Sequence, residues 1–243
     1  MKVCAVFKWA RDPNDARVGL DGSIDWRGVK LTANDDDPAV MDIARALAGG
    51  DDITAITVGD GDVAWAATRG AARTVLVEDA LPDLGGATIA AALVAAIHHS
   101  GTADVVLVSD SVWDLSVVAA VTGGLGWPAL AGVIAAEAVT DGLLVTRRAG
   151  SGSEVVALPT PAVLAVAATH AEAGAPGMKD VLAARKKPVE KLTLAGLGVM
   201  LATAAATRAT RLPDVAGARL IDGTDPAAAA AELLAALRSD GTV

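Results

Sequence analysis

The sequence predicts an α/β protein with a doubly wound, mostly parallel sheet. Short, nearly continuous apolar segments alternate with helical patterns through the first half of the chain, which is typical of parallel strands covered on both faces. The second half changes to consecutive strand-like segments, with a hairpin turn at Asp141-Gly142. We therefore expect antiparallel strands appended to the parallel sheet.

Local signals justify the individual elements. Asp37 can cap a helix and Pro38 can open it, the apolar positions that follow have helical spacing, and Gly49-Gly50 ends the helix. Asp21-Gly22 predicts a hairpin within residues 18–26. The predicted strands cover 3–7, 53–58, 74–77, 105–108, 132–139, 143–148, 154–158 and 162–168, and further helices cover 61–69, 87–99 and 114–125.

The pattern weakens after Pro188. Residues 191–212 have little periodicity, and residues 226–238 predict one amphipathic helix with leucines along its apolar side. A stretch patterned this loosely is a poor candidate for a second core. We therefore divide the chain into an α/β domain of nucleotide-binding type, residues 1–188, and a C-terminal arm, residues 189–243, that packs on a partner subunit.

Composition excludes several classes of function. The formal charge of −9 and the pI of about 4.7 argue against nonspecific binding to nucleic acid or to an anionic membrane surface. The single cysteine excludes an intrachain disulfide and a cysteine-based zinc site, and the absence of tyrosine excludes a tyrosine acid or base. With no signal-peptide core and no apolar run long enough to cross a bilayer, we expect a cytoplasmic protein.

One segment fits a dinucleotide-binding fingerprint. Residues 59–64 follow a strand and match G-x-G-x-x-A through Gly59, Gly61 and Ala64, and Glu78 or Asp79 would supply the ribose-binding acid. The acidic residues at positions 60 and 62 oppose this interpretation, because both would lie near the pyrophosphate. The alternatives are an NAD-binding oxidoreductase and a glycine turn that ends a strand.

The ends of the parallel strands are the other candidate region, since ligands in such sheets bind beyond the carboxyl ends of the strands. The segments concerned are 8–15, 34–37, 58–61 and 109–116. The last is polar and precedes a predicted helix. It is either a ligand loop that offers backbone N–H groups or an ordinary capped loop.

Histidine and cysteine give no chemistry of their own. His98 and His99 are adjacent at a helix end, so they point about 100° apart and do not easily hold one metal ion. His170 is isolated, and Cys4 lies in a strand, where a buried inert thiol is expected. We predict neither a metal site nor a catalytic residue.

Five motifs, in order over nearly the whole chain, are similar to those of one known family. They are Val6-Phe7-Lys8, residues 34–37 with the helix that follows, Gly70-Ala71-Ala72-Arg73, Leu125-Gly126-Trp127-Pro128, and the stretch Ala183-Ala184-Arg185-Lys186-Lys187-Pro188-Val189-Glu190 with Leu192-Thr193 and Leu197-Gly198-Val199. Together they resemble the β subunit of electron-transfer flavoprotein, the family that includes the FixA proteins.

The resemblance implies an electron carrier rather than an enzyme. In that family the β subunit has an adenine-nucleotide alpha hydrolase-like sheet, and its C-terminal arm embraces an α subunit that holds a redox-active FAD. The heterodimer takes electrons from acyl-CoA or related flavin dehydrogenases and passes them to a membrane quinone reductase or another acceptor. The β subunit usually binds AMP, or a second FAD in bifurcating members. The resemblance would also place Asp12 facing the α-bound flavin.

The resemblance also implies a cofactor site in this chain, formed by Val6, Asn34, Asp35, Asp36, Asp37, Val58, Ser109, Asp110, Ser111, Trp113 and Ser116. The loop over 109–117 is shorter than the family's and lacks its Asn-Gln-Thr, and Asp35 and Asp36 replace a Pro and a Phe. We therefore expect weakened or lost AMP binding, with Trp113 filling the pocket or stacking on an adenine. An interaction scaffold without a nucleotide is the alternative function.

Partner recognition is expected in residues 171–187. The family's recognition loop is retained here only at Glu172, and Met178 takes the place of its apolar anchor. Arg185, Lys186 and Lys187 form a basic cluster in an acidic chain, which makes a docking role a reasonable expectation.

Overall fold

A computed structural model describes residues 1–48, 53–81, 84–110, 115–167, 176–203, 207–214 and 218–242. The chain divides into two units. Met1–Arg17 with Ile24–Thr207 forms the first, and Val18–Ser23 with Arg208–Val243 forms the second. No helix in the described ranges is long and apolar enough to cross a membrane.

Thirteen strands and five α-helices are formed by the described residues. The strands are β1 (Val3–Val6), β2 (Trp9–Arg11), β3 (Arg17–Val18), β4 (Ile24–Asp25), β5 (Leu31–Ala33), β6 (Ile53–Val58), β7 (Arg73–Val77), β8 (Val105–Ser109), β9 (Ala129–Val139), β10 (Gly142–Ala149), β11 (Gly152–Leu158), β12 (Ala162–Val166) and β13 (Val189–Leu192). The helices are α1 (Asp37–Ala48), α2 (Gly86–His99), α3 (Leu115–Leu125), α4 (Met178–Ala184) and α5 (Pro226–Ser239), and 3₁₀ turns lie at Pro13–Asp15 and Ala67–Arg69.

Nine strands form the central sheet, in the order β11-β10-β9-β12-β8-β1-β6-β7-β13. The run from β9 through β12, β8, β1, β6 and β7 to β13 is parallel, and β10 pairs antiparallel with both β9 and β11. The predicted fold class, a mostly parallel α/β sheet with antiparallel strands appended, is confirmed. The small sheet of β3 and β4 is the predicted hairpin.

Each face of the sheet has its own apolar core. On one face, α1 packs Met41 and Leu47 against strand residues such as Leu107. On the other face, α2 and α3 cover the strands, with Ile89 and Leu93 fully buried. Burial on both faces explains why the central strands have almost no polar residues.

One local expectation was wrong, and one short strand was missed. No α-helix follows Gly61: the chain makes turns and then the 3₁₀ turn Ala67–Arg69, and an Asx turn in which Asp62 Oδ1 accepts the Ala64 N–H at 2.9 Å takes the place of a helix start. The segment after Pro188 is largely irregular as expected, but Val189–Leu192 forms an edge strand parallel to β7 that the sequence did not predict. This edge strand has only four residues, which is too short for a strand pattern to be recognised in the sequence.

The proposed boundary between domain and arm stays a prediction. The structure keeps Val189–Leu192 in the sheet and carries the first unit to Thr207. The helix predicted over 226–238 is present as α5, where Asp225 accepts the N–H groups of Ala227 and Ala228 and Pro226 opens the helix.

Candidate functional site

A polar cluster lies at the carboxyl ends of the central strands. After β1, the chain forms β2, which pairs with β5 so that Trp9 lies opposite Ala33. Lys8 and Asn34 flank that pair in the sequence, so this small sheet brings the end of β1 beside the start of α1. Ser109, the last residue of β8, borders the same cluster. This is the edge of an α/β sheet at which ligands bind.

Asn34 and Asp37 hold the start of α1 through reciprocal hydrogen bonds. The Asn34 N–H donates to Asp37 Oδ2 at 2.9 Å, and the Asp37 N–H donates to the Asn34 carbonyl at 3.0 Å. The first bond is the half of a capping box in which a side chain accepts the N–H three residues earlier, and the second is a backbone turn bond. The sequence predicted Asp37 as the cap of this helix; in the structure Asp37 is the first residue of α1, and its carboxylate accepts the N–H of Asn34, which precedes the helix.

Asp37 is fully buried, and one of its oxygens is unsatisfied within the described part of the chain. The Ser109 hydroxyl and the Lys8 backbone lower the pKa of Asp37, but neither makes a full hydrogen bond to Oδ1. Burial dominates and raises the pKa of Asp37 to about 7. This carboxyl is therefore buried, with one oxygen that is both unpaired and closed to solvent.

Lys8 supplies a cation whose charge interacts with this carboxyl. Burial lowers the pKa of the Lys8 ammonium to about 8, and the charge of Asp37 offsets part of that effect. Both groups therefore change protonation close to neutral pH. The sequence analysis included Lys8 within a loop but missed it as a site residue, because its closeness to Asp37 depends on the β2–β5 pairing.

Aromatic packing forms one wall beside the cluster. Phe7, buried directly after β1, stacks on Trp65 with ring centroids 5.2 Å apart. The Arg69 guanidinium lies 4.1 Å from the centroid of the Trp65 ring, and its charge acts on Asp37. Sequence reasoning missed Trp65 and Arg69, since no motif surrounds them.

The other predicted cofactor residues differ in burial and in their hydrogen-bond partners. Val6 and Val58 are buried at the ends of β1 and β6, while Asp35 is exposed and Asp36 is half-buried. Asp110 has a structural partner: its Oδ2 accepts the Gly132 N–H at 2.8 Å.

The remaining loop positions do not join the cluster in what the structure describes. Ser116 is exposed on α3, and its hydroxyl lies 2.5 Å from where a Cβ at Gly86 would stand. Ser111 and Trp113 lie outside the described residues, so the two roles proposed for Trp113 stay predictions.

The residues of the dinucleotide fingerprint make structural contacts within the chain. A Cβ built on Gly61 would lie 1.9 Å from the indole of Trp9, so the missing side chain makes room for that ring rather than for a pyrophosphate. The Glu78 carboxylate lies 3.3 Å from Lys191 Nζ. Asp79 Oδ1 accepts the Leu194 N–H at 2.8 Å. The geometry favours the glycine-turn interpretation of this segment.

The predicted partner-binding residues separate into two groups. Met178 opens α4 and is 75% exposed, and Arg185 and Lys186 are exposed as well. Lys187 is used inside the chain, because its ammonium donates to the carbonyls of Ala71 at 2.6 Å and Ala67 at 3.3 Å. Glu172 lies outside the described residues.

The histidine, cysteine and Asp12 positions add no chemistry. His98 and His99 are exposed at the end of α2, and His99 Nε2 lies 2.8 Å from Glu190 Oε1. Burial raises the pKa of the Cys4 thiol to about 12, which keeps it protonated and inert. Asp12 accepts the Asn14 N–H and caps a 3₁₀ turn. Within the described ranges, no cluster of three potential metal ligands occurs. His170 lies outside them.

A cavity of about 620 Å³ opens at the opposite, amino-terminal edge of the sheet. Its lining includes Lys2, Thr54 and Arg73. The Arg73 guanidinium is already held by the Thr54 hydroxyl at 3.1 Å and the Ser100 carbonyl at 2.8 Å, so its hydrogen bonds join β7 to its neighbours. We place the candidate site at the carboxyl edge, where the buried unsatisfied carboxyl lies.

Together, the sheet order and the covering helices define a doubly wound α/β protein with a polar cluster at the carboxyl edge of its sheet. Residues 24–197 match the family model described as the electron transfer flavoprotein domain. Because this match covers well over half of the 243 residues, the chain belongs to the electron transfer flavoprotein family. Members of this family bind flavin and carry electrons, and they are not enzymes in their own right.

Proposed function

We propose that this chain is the β-type subunit, of the FixA kind, of a heterodimeric electron transfer flavoprotein. FAD is held mainly by the α-type partner, and the pair passes electrons from acyl-CoA or related flavin dehydrogenases to a downstream acceptor. The observation that carries this proposal is the family match over residues 24–197. The motif order, from Val6-Phe7-Lys8 to Leu197-Gly198-Val199, favours the β-type subunit.

The C-terminal segment supports a partner in the complex. Helix α5 has no buried residue. Its Leu233 and Leu234 are 50% and 43% exposed, and Leu220, which precedes the helix, is 91% exposed. Several solvent-exposed leucines in one segment favour an interaction surface. The partner that fits the proposal is the α-type subunit, which this segment would contact through the leucines of α5.

The nucleotide content of this subunit is the second part of the proposal. The carboxyl-edge cluster is suited to a polar ligand, with AMP the first candidate and a second FAD the other. The acidic residues Asp35 and Asp36 weaken phosphate binding there. The same charges favour the alternative function, a scaffold with no nucleotide in this subunit.

Co-expression with the cognate α-type subunit tests both parts. The complex is purified and denatured, and the released nucleotides are separated by chromatography. One FAD and one AMP per complex supports an ordinary carrier, two FAD supports a bifurcating one, and one FAD alone supports the scaffold alternative. Absence of both complex and flavin contradicts the proposal.

A matched pair of variants tests the role of α5. Leu233→Asp places a charge among its leucines, whereas Ala235→Asp places the same charge on an exposed position away from them. We expect Leu233→Asp to reduce recovery of the α-type subunit at least tenfold and Ala235→Asp to leave it unchanged. Equal recovery with both variants would exclude α5 from the interface.

A further inference from the structure

We propose that the tip of the β3–β4 hairpin, Val18–Ser23, holds the C-terminal segment Arg208–Val243 through Asp21 and Gly22 before any partner binds. The tip and the segment form the second compact unit of the chain. This inference goes beyond the proposed function, which gives the segment a partner but does not say what holds it in the free chain. Only the consequence for partner binding rests on that function.

The hairpin tip has a conformation fixed by its own hydrogen bonds. The Gly19 N–H donates to the Ser23 carbonyl at 2.8 Å, and the Gly22 N–H donates to the Gly19 carbonyl at 2.9 Å. The Asp21 carboxylate accepts the Ser23 N–H at 3.0 Å and the Ser23 hydroxyl at 2.6 Å. These bonds use the side chain of Asp21 within the turn and leave its backbone carbonyl for a residue outside it.

Two contacts join this tip to the C-terminal segment. The Thr210 hydroxyl donates to the Asp21 carbonyl at 3.1 Å, across 189 positions of the sequence. A Cβ built on Gly22 would stand 2.7 Å from the backbone nitrogen of Arg211, closer than real Cβ atoms come to other heavy atoms. The backbone of Arg211 therefore passes directly over Gly22, in the space that the side chain of another residue would fill.

Gly22 meets two separate requirements at this contact. Its φ of +76° is one that residues with a side chain rarely adopt, and the backbone of Arg211 approaches too closely for a Cβ. The Asp-Gly turn explains the φ angle but not the close approach. Gly28 has a φ of +80° and nothing within 4 Å of its Cβ position, so it meets only the first requirement. It is therefore a matched control.

The contact leaves the apolar side chains of the segment open to a partner. Arg219 donates to Glu232 at 2.9 Å, which joins the residues before α5 to the helix. Leu212, Leu233 and Leu234 are 45%, 50% and 43% exposed. The hairpin tip thus holds the backbone without covering these leucines. Because order present before binding lowers the entropy cost of association, the contact should favour partner binding.

Trypsin digestion of the full chain tests the contact, since Arg208 and Arg211 are cleavage sites on either side of Thr210. Gly22→Ala leaves the cleaved sequence unchanged, so a change in the cleavage rate after Arg211 reports the contact itself. We expect Gly22→Ala to speed this cleavage about tenfold and Gly28→Ala to change it by less than about twofold, because cleavage follows the population of the open segment. Mass spectrometry identifies the products.

Thr210 gives a second pair of variants that leave the hairpin intact. Thr210→Ala removes the hydroxyl that donates to Asp21, whereas Thr210→Ser keeps it. Each cleavage rate is divided by that of a peptide covering residues 205–216 with the same substitution, which removes the direct effect on trypsin. We expect severalfold faster cleavage for Thr210→Ala and a rate close to that of the wild type for Thr210→Ser.

Two results would overturn the contact as the holding interaction. One is equal cleavage of the wild type and Gly22→Ala. The other is cleavage of Gly28→Ala as fast as that of Gly22→Ala, because backbone strain in the hairpin would then be sufficient.

Affinity for the α-type subunit tests the consequence for binding. We expect a severalfold higher Kd for Gly22→Ala and an unchanged Kd for Gly28→Ala. Faster cleavage of Gly22→Ala with an unchanged Kd would refute this consequence. A wild-type chain that binds no α-type subunit would refute the proposed function, while the digestion would still decide whether the hairpin tip holds the segment.

Discussion

Asp37 links the stability of the protein to pH in a direction set by its burial. Its pKa is raised in the folded state, so between about pH 4 and pH 7 the folded chain binds more protons than the unfolded chain. This contribution to stability is complete at low pH and is lost as pH rises toward 7. Lys8 acts oppositely, since its lowered pKa restores stability as pH rises from about 8 to 10.5.

The first prediction uses Asp37→Asn as a stability probe. The free energy of unfolding of this variant, relative to the wild type, should increase as pH rises from 4 to 7 and stay constant from 7 to 8. One pKa unit corresponds to about 1.4 kcal/mol, so the full gain is on the order of 4 kcal/mol at most. Urea titrations across this range measure it, and a difference that does not change with pH would refute the raised pKa.

Gly61 shows how one missing side chain shapes the region next to the cluster. Its Cα lies against the Trp9 indole, and a Cβ there would stand 1.9 Å from the ring. The indole cannot shift without disturbing β2, which carries Trp9 and pairs with β5. The glycine is therefore required by packing.

The second prediction compares two glycine substitutions. Gly61→Ala should destabilise the chain by about 1–3 kcal/mol, since the added methyl forces the Trp9 ring to move. Gly123→Ala is the control: it lies in α3 with nothing within 4 Å of its Cβ position, and it should stabilise by about 0.5–1 kcal/mol. Thermal or urea unfolding distinguishes them, and a neutral Gly61→Ala would mean that Trp9 moves freely.

At the scale of elements, Lys187 connects the segment after α4 to the 3₁₀ turn that carries Arg69. Its ammonium donates to the Ala71 carbonyl and to the Ala67 carbonyl, which also accepts the Gly70 N–H that closes the turn. Arg185 and Lys186, in the same basic cluster, stay exposed. Of the three basic residues, Lys187 therefore makes contacts inside the chain, whereas Arg185 and Lys186 are available to a partner.

The third prediction tests that division. Lys187→Met should lower the free energy of unfolding by about 1–3 kcal/mol, because charge-assisted hydrogen bonds to partly buried carbonyls are lost. Lys186→Met, the matched control, should change stability by less than about 0.5 kcal/mol. Chemical denaturation gives both values, and equal effects would show that Lys187 has no structural role.

The same cluster gives a fourth prediction, on electron transfer. In the complex with the α-type subunit, Lys186→Glu should slow reduction by a flavin dehydrogenase severalfold and flatten the dependence of that rate on salt, because exposed charges act mainly on association. Stopped-flow measurements at two ionic strengths are sufficient. An unchanged rate would place the dehydrogenase contact elsewhere.

The whole molecule divides into a packed unit and a second unit with few buried residues. Both apolar cores and all nine strands of the central sheet belong to the first unit, which ends at Thr207. The family match, which ends at residue 197, lies almost entirely within it. Under the proposed function, residues 208–243 would serve partner binding rather than these cores.

The fifth prediction follows from that division. A chain truncated after Thr207 should keep a cooperative thermal transition, because its cores are intact, and should fail to retain the α-type subunit on co-purification. Circular dichroism and size-exclusion chromatography measure the two properties. A truncated chain that does not fold, or one that binds the partner as before, would contradict the assignment of the arm.

The sequence by itself determined the alternation of strands and helices, because apolar periodicity reports which faces of each element are buried. It also determined the helix start at Asn34–Asp37 and the burial of Cys4, which depend on neighbours along the chain. The resemblance to the electron transfer flavoprotein family, whose model matches residues 24–197, came from motifs of the same local kind, while the β-type subunit remains a prediction.

Only the tertiary structure decided which residues meet. Lys8, Asp37, Arg69 and Ser109 come from four separate segments, and the pairing of β2 with β5 and the ends of β1 and β8 bring them together. The same holds for Trp9 over Gly61 and for Lys187 on the Ala67 and Ala71 carbonyls. Burial, which sets the pKa of Asp37, is a property of the packed chain, so no local pattern reveals it.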